Sequence, residues 1–323
     1  MRESEIERLP AGAQPTPARV AAEVPEEVVA GAEVILSTRQ LAWRRFKRHR
    51  LAIASAVILL LLALACVFVD AISSYTFNQQ DLTRRMEGPG LDHYFGTDVL
   101  GRDQFTRVLY GGRISLAVGL TVALSAGVIG GVAGAVAGYY GGWIDNVIMR
   151  VTDLFLAIPF LVILIIGAKW AEQALPGGPL VDIVVILSLF FWMPDARIVR
   201  GIFLSLKEKE FVEAARASGA SNLRIIFWHM LPNAFGPIIV NVTLLVAAAI
   251  LTESALSFLG FGIQPPTPTW GNLLNSNRTV MLLAPHLVFF PGLAILITVL
   301  CVNFLGDGLR DALDPHQELK SRV

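Results

Sequence analysis

Six apolar stretches alternate with polar segments along the chain. A transmembrane helix needs about 20 mostly apolar residues. The stretches predict six such helices, at residues 51–69, 114–142, 154 to beyond 168, 181–199, 234–258 and 285–305. The fourth has the shortest uncharged core, so Asp195 and Arg197 are expected near its end. The pattern predicts an all-α integral membrane protein with both termini on one side of the bilayer.

The composition agrees with this prediction. Hydrophobic residues make up 54% of the chain and charged residues only 16%, whereas a typical soluble domain carries about 25% charged residues. The mean hydropathy is +0.60. The formal net charge is zero, so composition indicates no polyelectrolyte partner. Cys66 and Cys301 both lie inside apolar stretches and are expected to be small core residues rather than disulfide or metal ligands.

The distribution of basic residues predicts the orientation. With the N-terminus inside, the inner segments carry sixteen Lys and Arg and the outer segments seven. This bias favours both termini in the cytoplasm. Residues 1–38 are predicted to be a disordered tail without a signal peptide, and residues 39–50 a basic interfacial segment that binds lipid rather than nucleic acid. Residues 51–310 form the predicted transmembrane domain, with a cytoplasmic loop at 200–232. Residues 311–323 are the predicted C-terminal tail.

One polar insert, EFVEAARASGASNLRIIFWHMLPN (residues 210–233), follows the fourth stretch. Residues 204–218 are rich in helix formers, and Gly219 is well placed to end that helix. Ser221 can cap a second helix, which Pro232 would stop before the fifth span. The expected apolar face of that second helix is Leu223, Ile226, Phe227 and Met230. Amphipathicity alone leaves open an inert connector that rests on lipid headgroups.

Glycines and polar residues inside the spans raise further alternatives. The second span contains three small-xxx-small pairs, which favour close helix packing either within the chain or with a second membrane subunit. They are Gly127/Gly131, Gly130/Gly134 and Gly134/Gly138. Glu253 is either functional or, the preferred interpretation, a carboxylate near the interface that water or capping neighbours satisfy. Asn241 can line a pathway or form an interhelical hydrogen bond. Asp195, Arg197 and Arg200 are expected to form an interfacial charge cluster.

The polar insert resembles a known motif. Its Glu-Ala-Ala, Gly and Leu-Pro spacing is similar to the EAA loop of ATP-binding-cassette (ABC) importer permeases; the matching residues are Glu213, Ala214, Ala215, Gly219, Leu231 and Pro232. His229 departs from the usual isoleucine and resembles the peptide/nickel branch. Segments 95–116 (FGTDVLGRDQFTRVLYGGRISL) and 251–274 (LTESALSFLGFGIQPPTPTWGNLL) resemble the same branch. The similarity covers about residues 40–315 and is strongest to the C-type permease subunit of dipeptide or oligopeptide importers.

The resemblance implies a type I ABC importer permease in the cytoplasmic (inner) membrane. The implied partners are a B-type permease, two ABC ATPases and an extracellular or periplasmic peptide-binding protein. A coupling helix at about 215–223 would dock on an ATPase, and ATP and Mg would bind the ATPases. No P-loop pattern occurs in this chain, so ATP hydrolysis is expected on a partner, and no catalytic or cofactor-binding residue is expected here. No pair of histidines has metal-ligand spacing on one helix, so no metal ligand is expected either. The implied coupling residues are Glu213, Ala214, Ala215, Gly219, Ala220, Ser221, Leu231 and Pro232.

The outer segment 259–283 is rigid and aromatic, which suits contact with a binding protein as well as scaffolding of the pore mouth. The candidate contacts are Gln264, Pro265, Pro266 and Trp270. Nickel or another small solute is an alternative to peptides. An ion-coupled secondary transporter would show more intramembrane acids and repeated halves. An intramembrane enzyme ranks last, because the HExxH and GxSxG patterns do not occur.

Overall fold

The computed structural model describes residues 38–313, and its regular elements within that range are helices. Residues 42–313 belong to one compact unit. Of the tails predicted at 1–38 and 311–323, residues 1–37 and 314–323 lie outside the described residues, whereas Thr38 and residues 311–313 belong to helices. The first half of the described chain contains six helices: α1 (Thr38–Phe46), α2 (Arg50–Val67), α3 (Val69–Ile72), α4 (Gln104–Tyr140), α5 (Gly142–Leu156) and α6 (Phe160–Ala174).

The second half carries the polar insert between two long helices. This half also contains a π turn at Ile225–Met230 and a 3-10 turn at Arg278–Val280. Its helices are α7 (Pro179–Lys207), α8 (Glu210–Ala217), α9 (Asn222–Arg224), α10 (Leu231–Phe258), α11 (Trp270–Asn277) and α12 (His286–Leu313).

Five continuous helical stretches are long and apolar enough to cross a membrane: α2, α4, α7, α12 and Asn222–Phe258. The third predicted span, from residue 154 to beyond 168, is not one continuous helix. Its place is taken by α5 and α6, which meet at an angle of 94° around residues 157–159. Pro159 precedes α6 and cannot donate a backbone hydrogen bond, which favours a break at this position.

The direction of α7 shows that the bent pair crosses the membrane. The hydroxyls of Ser125 on α4 and Ser188 on α7 lie 2.6 Å apart. Further along, Gly134 faces Val199 and Gly138 faces Phe203. Later residues of α4 thus meet later residues of α7, and the two helices run parallel. The chain between them must return to the other side, so α5 and α6 form a broken span.

The remaining helices alternate in direction. Gly119 faces Ile250 and Gly127 faces Val242, so α10 runs antiparallel to α4. At the far ends of the chain, Gly308 of α12 faces Ala52 near the start of α2. The first and last spans therefore begin and end on one side, here called the basic side. Its assignment to the cytoplasm rests on the charge bias and stays a prediction.

Glycine packing joins α4 to α7. A Cβ at Gly138 would lie 2.7 Å from the Cβ of Phe203, and a Cβ at Gly134 would lie 2.8 Å from the Cβ of Val199. Both positions require glycine for close helix contact within the chain. Gly131, by contrast, has open space around it. Cys66 and Cys301 are buried free thiols, as predicted.

Candidate functional site

The polar insert begins with a break that the sequence did not predict. α7 ends at Lys207 and α8 begins at Glu210, so the expectation of one helix over 204–218 is wrong. Lys209 adopts extended backbone between them. Glu210 and Glu213 occupy the first turn of α8, where a helix N-terminus favours negative charge. These two acids stabilise a new helix N-terminus at Glu210.

A tight turn follows α8. Gly219 has a φ of +77°, in the left-handed region that glycine adopts at least cost. The N–H of Ala220 donates to the carbonyl of Ala215 at 3.1 Å across the turn. The Ser221 hydroxyl accepts from the N–H of Arg224 at 3.4 Å and caps α9. The predicted turn and cap are present, but residues 215–223 are two helix ends around a turn rather than one coupling helix.

Pro232 does not stop the second helix, contrary to the prediction. The N–H of Leu231 donates to the carbonyl of Ile226, five residues back, in the π turn that precedes α10. A π turn is wider than an α turn and occurs where the regular bonding ladder is disturbed. Pro232 then lies in the first turn of α10, where proline is tolerated because its missing N–H would have no partner. The insert thus continues into the fifth span.

The same π turn changes the apolar face. Ile226 and Met230 are buried as predicted, but Leu223 and Phe227 are exposed. Ile225 takes an inward position that the regular spacing did not predict. The extra residue in a π turn rotates the following side chains away from the regular 3.6-residue spacing. These inward residues form a core with α7, α8 and α4, which includes Val212, Phe203, Val199 and Tyr139.

The outer face of the insert is a fixed surface. Glu213, Ala214, Gly219 and Ser221 are exposed, as is Pro232, while Ala215, Ala220 and Leu231 are partly buried. Buried Val212 holds α8 from below, and the hydroxyl of Tyr139 donates to Asn222 Oδ1 at 2.7 Å. The residues Glu213, Ala214, Gly219 and Ser221 are called the loop surface below. It is exposed but tied to three membrane helices.

Glu253 lies in a buried polar junction away from the basic side. Its carboxylate accepts hydrogen bonds from Ser115 at 3.0 Å and from Ser257 at 2.7 Å. The Ser115 hydroxyl in turn accepts from the backbone N–H of Trp270 at 3.3 Å. Neighbouring hydroxyls therefore satisfy the carboxylate, as the preferred interpretation expected, but it is fully buried rather than at an interface. The junction joins α4, α10 and α11.

The expected charge cluster of Asp195, Arg197 and Arg200 does not form. Asp195 is buried and accepts a hydrogen bond from Asn241 of α10, which is an interhelical contact, while its Oδ2 has no partner. The two arginines pair with α5 instead: Arg197 bonds Asp153 at 2.5 Å, and Arg200 bonds Asp145. Sequence spacing could not show these pairs, because their partners lie more than forty residues away.

The outer segment is divided between exposed and buried candidates. Gln264, Pro265 and Pro266 are exposed, and the Pro265–Pro266 peptide bond is cis. Trp270 is fully buried, and its Nε1 donates to the carbonyl of Val108 at 2.9 Å. The expectation that Trp270 contacts a binding protein is therefore wrong; its large ring fills the interior and serves as scaffold.

A second polar network lies in the connection before α4 and was missed from the sequence. Arg102 and Asp98 form a buried ion pair at 2.7 Å, and His93 Nδ1 lies 2.8 Å from Asp103 Oδ1. On the surface of this connection, the side chain and the backbone N–H of Thr83 donate to Asp81 and lower the pKa of that carboxyl. The clustering of charges between residues 92 and 107 was the available signal. These bonds give structure to a segment without long helices.

Among residues 38–313, no three His, Cys, Asp or Glu side chains come together in an arrangement that could hold a metal ion. The described residues form parallel and antiparallel spans, one of them broken, with an exposed loop surface tied to them. Together these features define a multi-pass membrane permease.

Comparison with known proteins identifies the family. The family of binding-protein-dependent transport system inner membrane components matches residues 130–318, and the N-terminal TM domain of oligopeptide transport permease C matches residues 37–89. The chain belongs to this transport permease family and is an ABC permease C-subunit of the oligopeptide/dipeptide type.

The similar proteins described below are all named as glutathione transport permeases. The chain is 45% identical over 274 residues to the glutathione transport system permease protein GsiD of Shigella flexneri serotype 5b (strain 8401), and 43% identical to the proteins of that name from Escherichia coli O157:H7 and Shigella boydii serotype 4 (strain Sb227). In each case the match covers 84% of this chain and 89% of the relative.

Proposed function

We propose that this chain is one of two permease subunits of an ATP-driven importer that moves a small peptide across the cytoplasmic membrane. Family membership supports the transporter class, and relatives named as glutathione permeases support a peptide-like solute. A second, B-type permease would complete the pathway, and an extracytoplasmic binding protein would deliver the solute. Two ABC ATPases, with ATP and Mg bound to them, would supply the energy.

The observation that carries this proposal is the combination of exposure and anchoring at the loop surface. A site that transmits force must be reachable by a partner and must not yield when the partner moves. The loop surface meets both requirements, because Glu213 and Ala214 are exposed while Val212, on the same helix, is fully buried in the core beneath them. The stretch that follows leads without a break into the fifth span.

Each residue of the loop surface has a chemical role in this proposal. Glu213 offers a carboxylate, which forms hydrogen bonds stronger than those of neutral groups. Ala214 has a side chain small enough for a partner to approach the helix closely. Gly219 sets the angle at which α8 meets the next helix, and Leu231 and Pro232 join the insert to the span.

Substitution of Glu213 tests the coupling. In the complete transporter reconstituted in liposomes, Glu213→Ala should reduce ATP-dependent uptake by at least about tenfold, since loss of one partner of a charged interface contact costs 2 kcal/mol or more. Glu208→Ala is the matched control, because Glu208 is exposed in the short connection just before the insert and lies outside the motif. Equal uptake by the two variants would remove Glu213 from the coupling site.

The solute is tested separately. Uptake of labelled glutathione should be competed by unlabelled glutathione and by dipeptides, but not by nickel ions. Competition by nickel alone would assign the chain to the metal-transporting side of the same family.

A further inference from the structure

A cavity lies between α6, α7 and the loop that follows α10. It measures about 310 Å³, at the lower end of ligand pockets. Its charged lining residues are Lys169 and Glu172 in the second half of α6 and Asp182 in the first turn of α7. The loop contributes the side chains of Phe261 and Gln264. Three separate segments of the chain therefore form its walls.

This cavity lies at the end of the bundle opposite the basic side. α2 begins on the basic side, and Cys66, near its other end, faces Gly112 near the start of α4. α4 therefore begins on the far side, and so does α7, which runs parallel to it. Asp182, in the first turn of α7, is on that far side. With the predicted orientation, this is the extracytoplasmic face, from which an imported solute arrives.

Hydrogen bonds within the chain hold the loop wall of the cavity in place. The amide of Gln264 donates to the carbonyls of Gly260 at 2.8 Å and Gly262 at 3.0 Å. The N–H of Phe261 donates to the carbonyl of Leu256 at 2.8 Å. The cavity is therefore formed by the chain itself, as is usual for sites that bind small molecules.

Asp182 is buried beside this cavity without a partner. The residue is only 7% exposed, and its Oδ1 accepts no hydrogen bond from any described residue. The cation that lines the same cavity, Lys169, bonds Glu172 at 2.8 Å instead. The N-terminus of α7 favours a negative charge at this position, but it leaves Oδ1 without a donor. Because a buried carboxylate is costly unless it is paired and hydrogen-bonded, a cationic donor that enters the cavity would stabilise it.

The charge and walls of the cavity favour a small ammonium group. One lysine and two acids line it, which gives a formal charge of −1 and complements one positive charge. An ammonium group carries three donors, and an aromatic ring attracts cations to its face. The Phe261 ring already lies 5.9 Å from Lys169 Nζ. The α-ammonium end of a small peptide has this charge and these donors.

We propose that the cavity binds the α-ammonium group of a small peptide, with Asp182 as its carboxylate partner. The peptide as ligand rests on the proposed function above. The need for a cationic donor at Asp182 rests on its burial and on the missing hydrogen bond, so the two statements can fail separately.

Equilibrium binding tests the site without ATP and without the binding protein. Isothermal titration of the purified complex of permeases and ATPases should show glycylglycine binding to the wild type. N-acetylglycylglycine lacks the ammonium charge and should bind at least about tenfold more weakly, since a hydrogen bond between charged groups is lost. Asp182→Asn should bind both probes equally weakly. Asp182→Glu keeps the charge and should keep the preference for glycylglycine.

Glu172→Gln is the matched control. Glu172 lines the same cavity, but its side chain is 64% exposed and bonds Lys169. Because exposed ion pairs contribute little, this variant should change the affinity for glycylglycine at most about threefold. An equal loss of affinity in Asp182→Asn and Glu172→Gln would overturn the assignment to Asp182. Equal binding of the two probes to the wild type would overturn the ammonium site.

A basic side chain of another subunit is the alternative partner of Asp182, and thermal unfolding distinguishes it. If Asp182 is unpaired without ligand, Asp182→Asn removes a buried charge and should leave the unfolding midpoint of the complete transporter unchanged or raised. A lowered midpoint would show that another subunit already holds Asp182, and the proposed site would be wrong. If glycylglycine binds as expected but no peptide is taken up, the proposed function fails while the ammonium site stands.

Discussion

Arg200 holds Asp145 by both oxygens of its carboxylate. The guanidinium Nη2 lies 2.5 Å from Oδ2, and Nε donates to Oδ1. This two-point bond joins the middle of the second half of α7 to the first turn of α5, and it fixes the entry of the broken span. Bidentate arginine–carboxylate pairs are the stronger and more directional ion pairs.

Asp145→Asn should therefore destabilise the protein by about 1.5–3 kcal/mol, the usual contribution of a hydrogen bond to a charged group. The measurement is the thermal unfolding midpoint of the purified transporter in detergent. Glu172→Gln is the control, because Glu172 pairs with Lys169 at an exposed site, where ion pairs contribute about 0–1 kcal/mol. A midpoint shift no larger than that of the control would show that the bidentate pair adds nothing.

Glu253 should tolerate an isosteric amide better than truncation. Ser115 and Ser257 donate to different oxygens of Glu253, so Glu253→Gln keeps one acceptor and faces the other hydroxyl with an amide NH2 that can donate to it. Glu253→Ala instead leaves both buried hydroxyls without that partner and opens a cavity. We expect the Ala variant to cost about 2–4 kcal/mol and to accumulate poorly. Thermal unfolding and membrane abundance measure this. If Glu253→Gln were less stable and less abundant than Glu253→Ala, the negative charge itself would be required.

Two neighbouring glycines on α4 should respond differently to the same change. Gly134→Leu should prevent close packing of α4 on α7, because its Cβ would already lie 2.8 Å from that of Val199. Gly131→Leu has open space and should fold. Membrane abundance and a monodisperse elution profile measure the outcome. Abundant, monodisperse Gly134→Leu protein would contradict the packing described here.

Gly219 is required for its backbone conformation rather than for space. No atom would crowd a Cβ there, but its φ is +77°, a region that costs other residues about 1–2 kcal/mol. Gly219→Val should therefore lower stability and uptake, and Gly219→Asn should do so less, since Asn adopts this region more readily. Gly201→Ala, at an uncrowded helical site, should be neutral or stabilising. Uptake and unfolding midpoints compare the three. Equal effects of Val and Asn would contradict a backbone cause.

Local signals predicted much of this structure. Apolar stretches located five single spans but did not show that the third predicted span is a bent pair of helices. Glycine and serine located the turn at Gly219 and the cap at Ser221, because each depends on residues close in sequence. The stop at Pro232 was wrong, since a π turn admits proline by changing the bonding of the preceding residues. The charge pairs of Arg197 and Arg200 depend on α5, and the burial of Trp270 depends on α4. Such contacts follow from the packing of distant segments, which no local pattern carries.

The passage from Ser221 into the fifth span has a mechanical consequence. Because the π turn replaces a break, residues Asn222–Phe258 form one stretch of 37 residues, about 55 Å long. Prolines and π turns are the usual sites of helix bending, and this stretch contains the π turn at Ile225–Met230 and Pro237 inside α10. A push on the loop surface would therefore reach the fifth span as a change of bend at these positions rather than as rotation of a rigid rod.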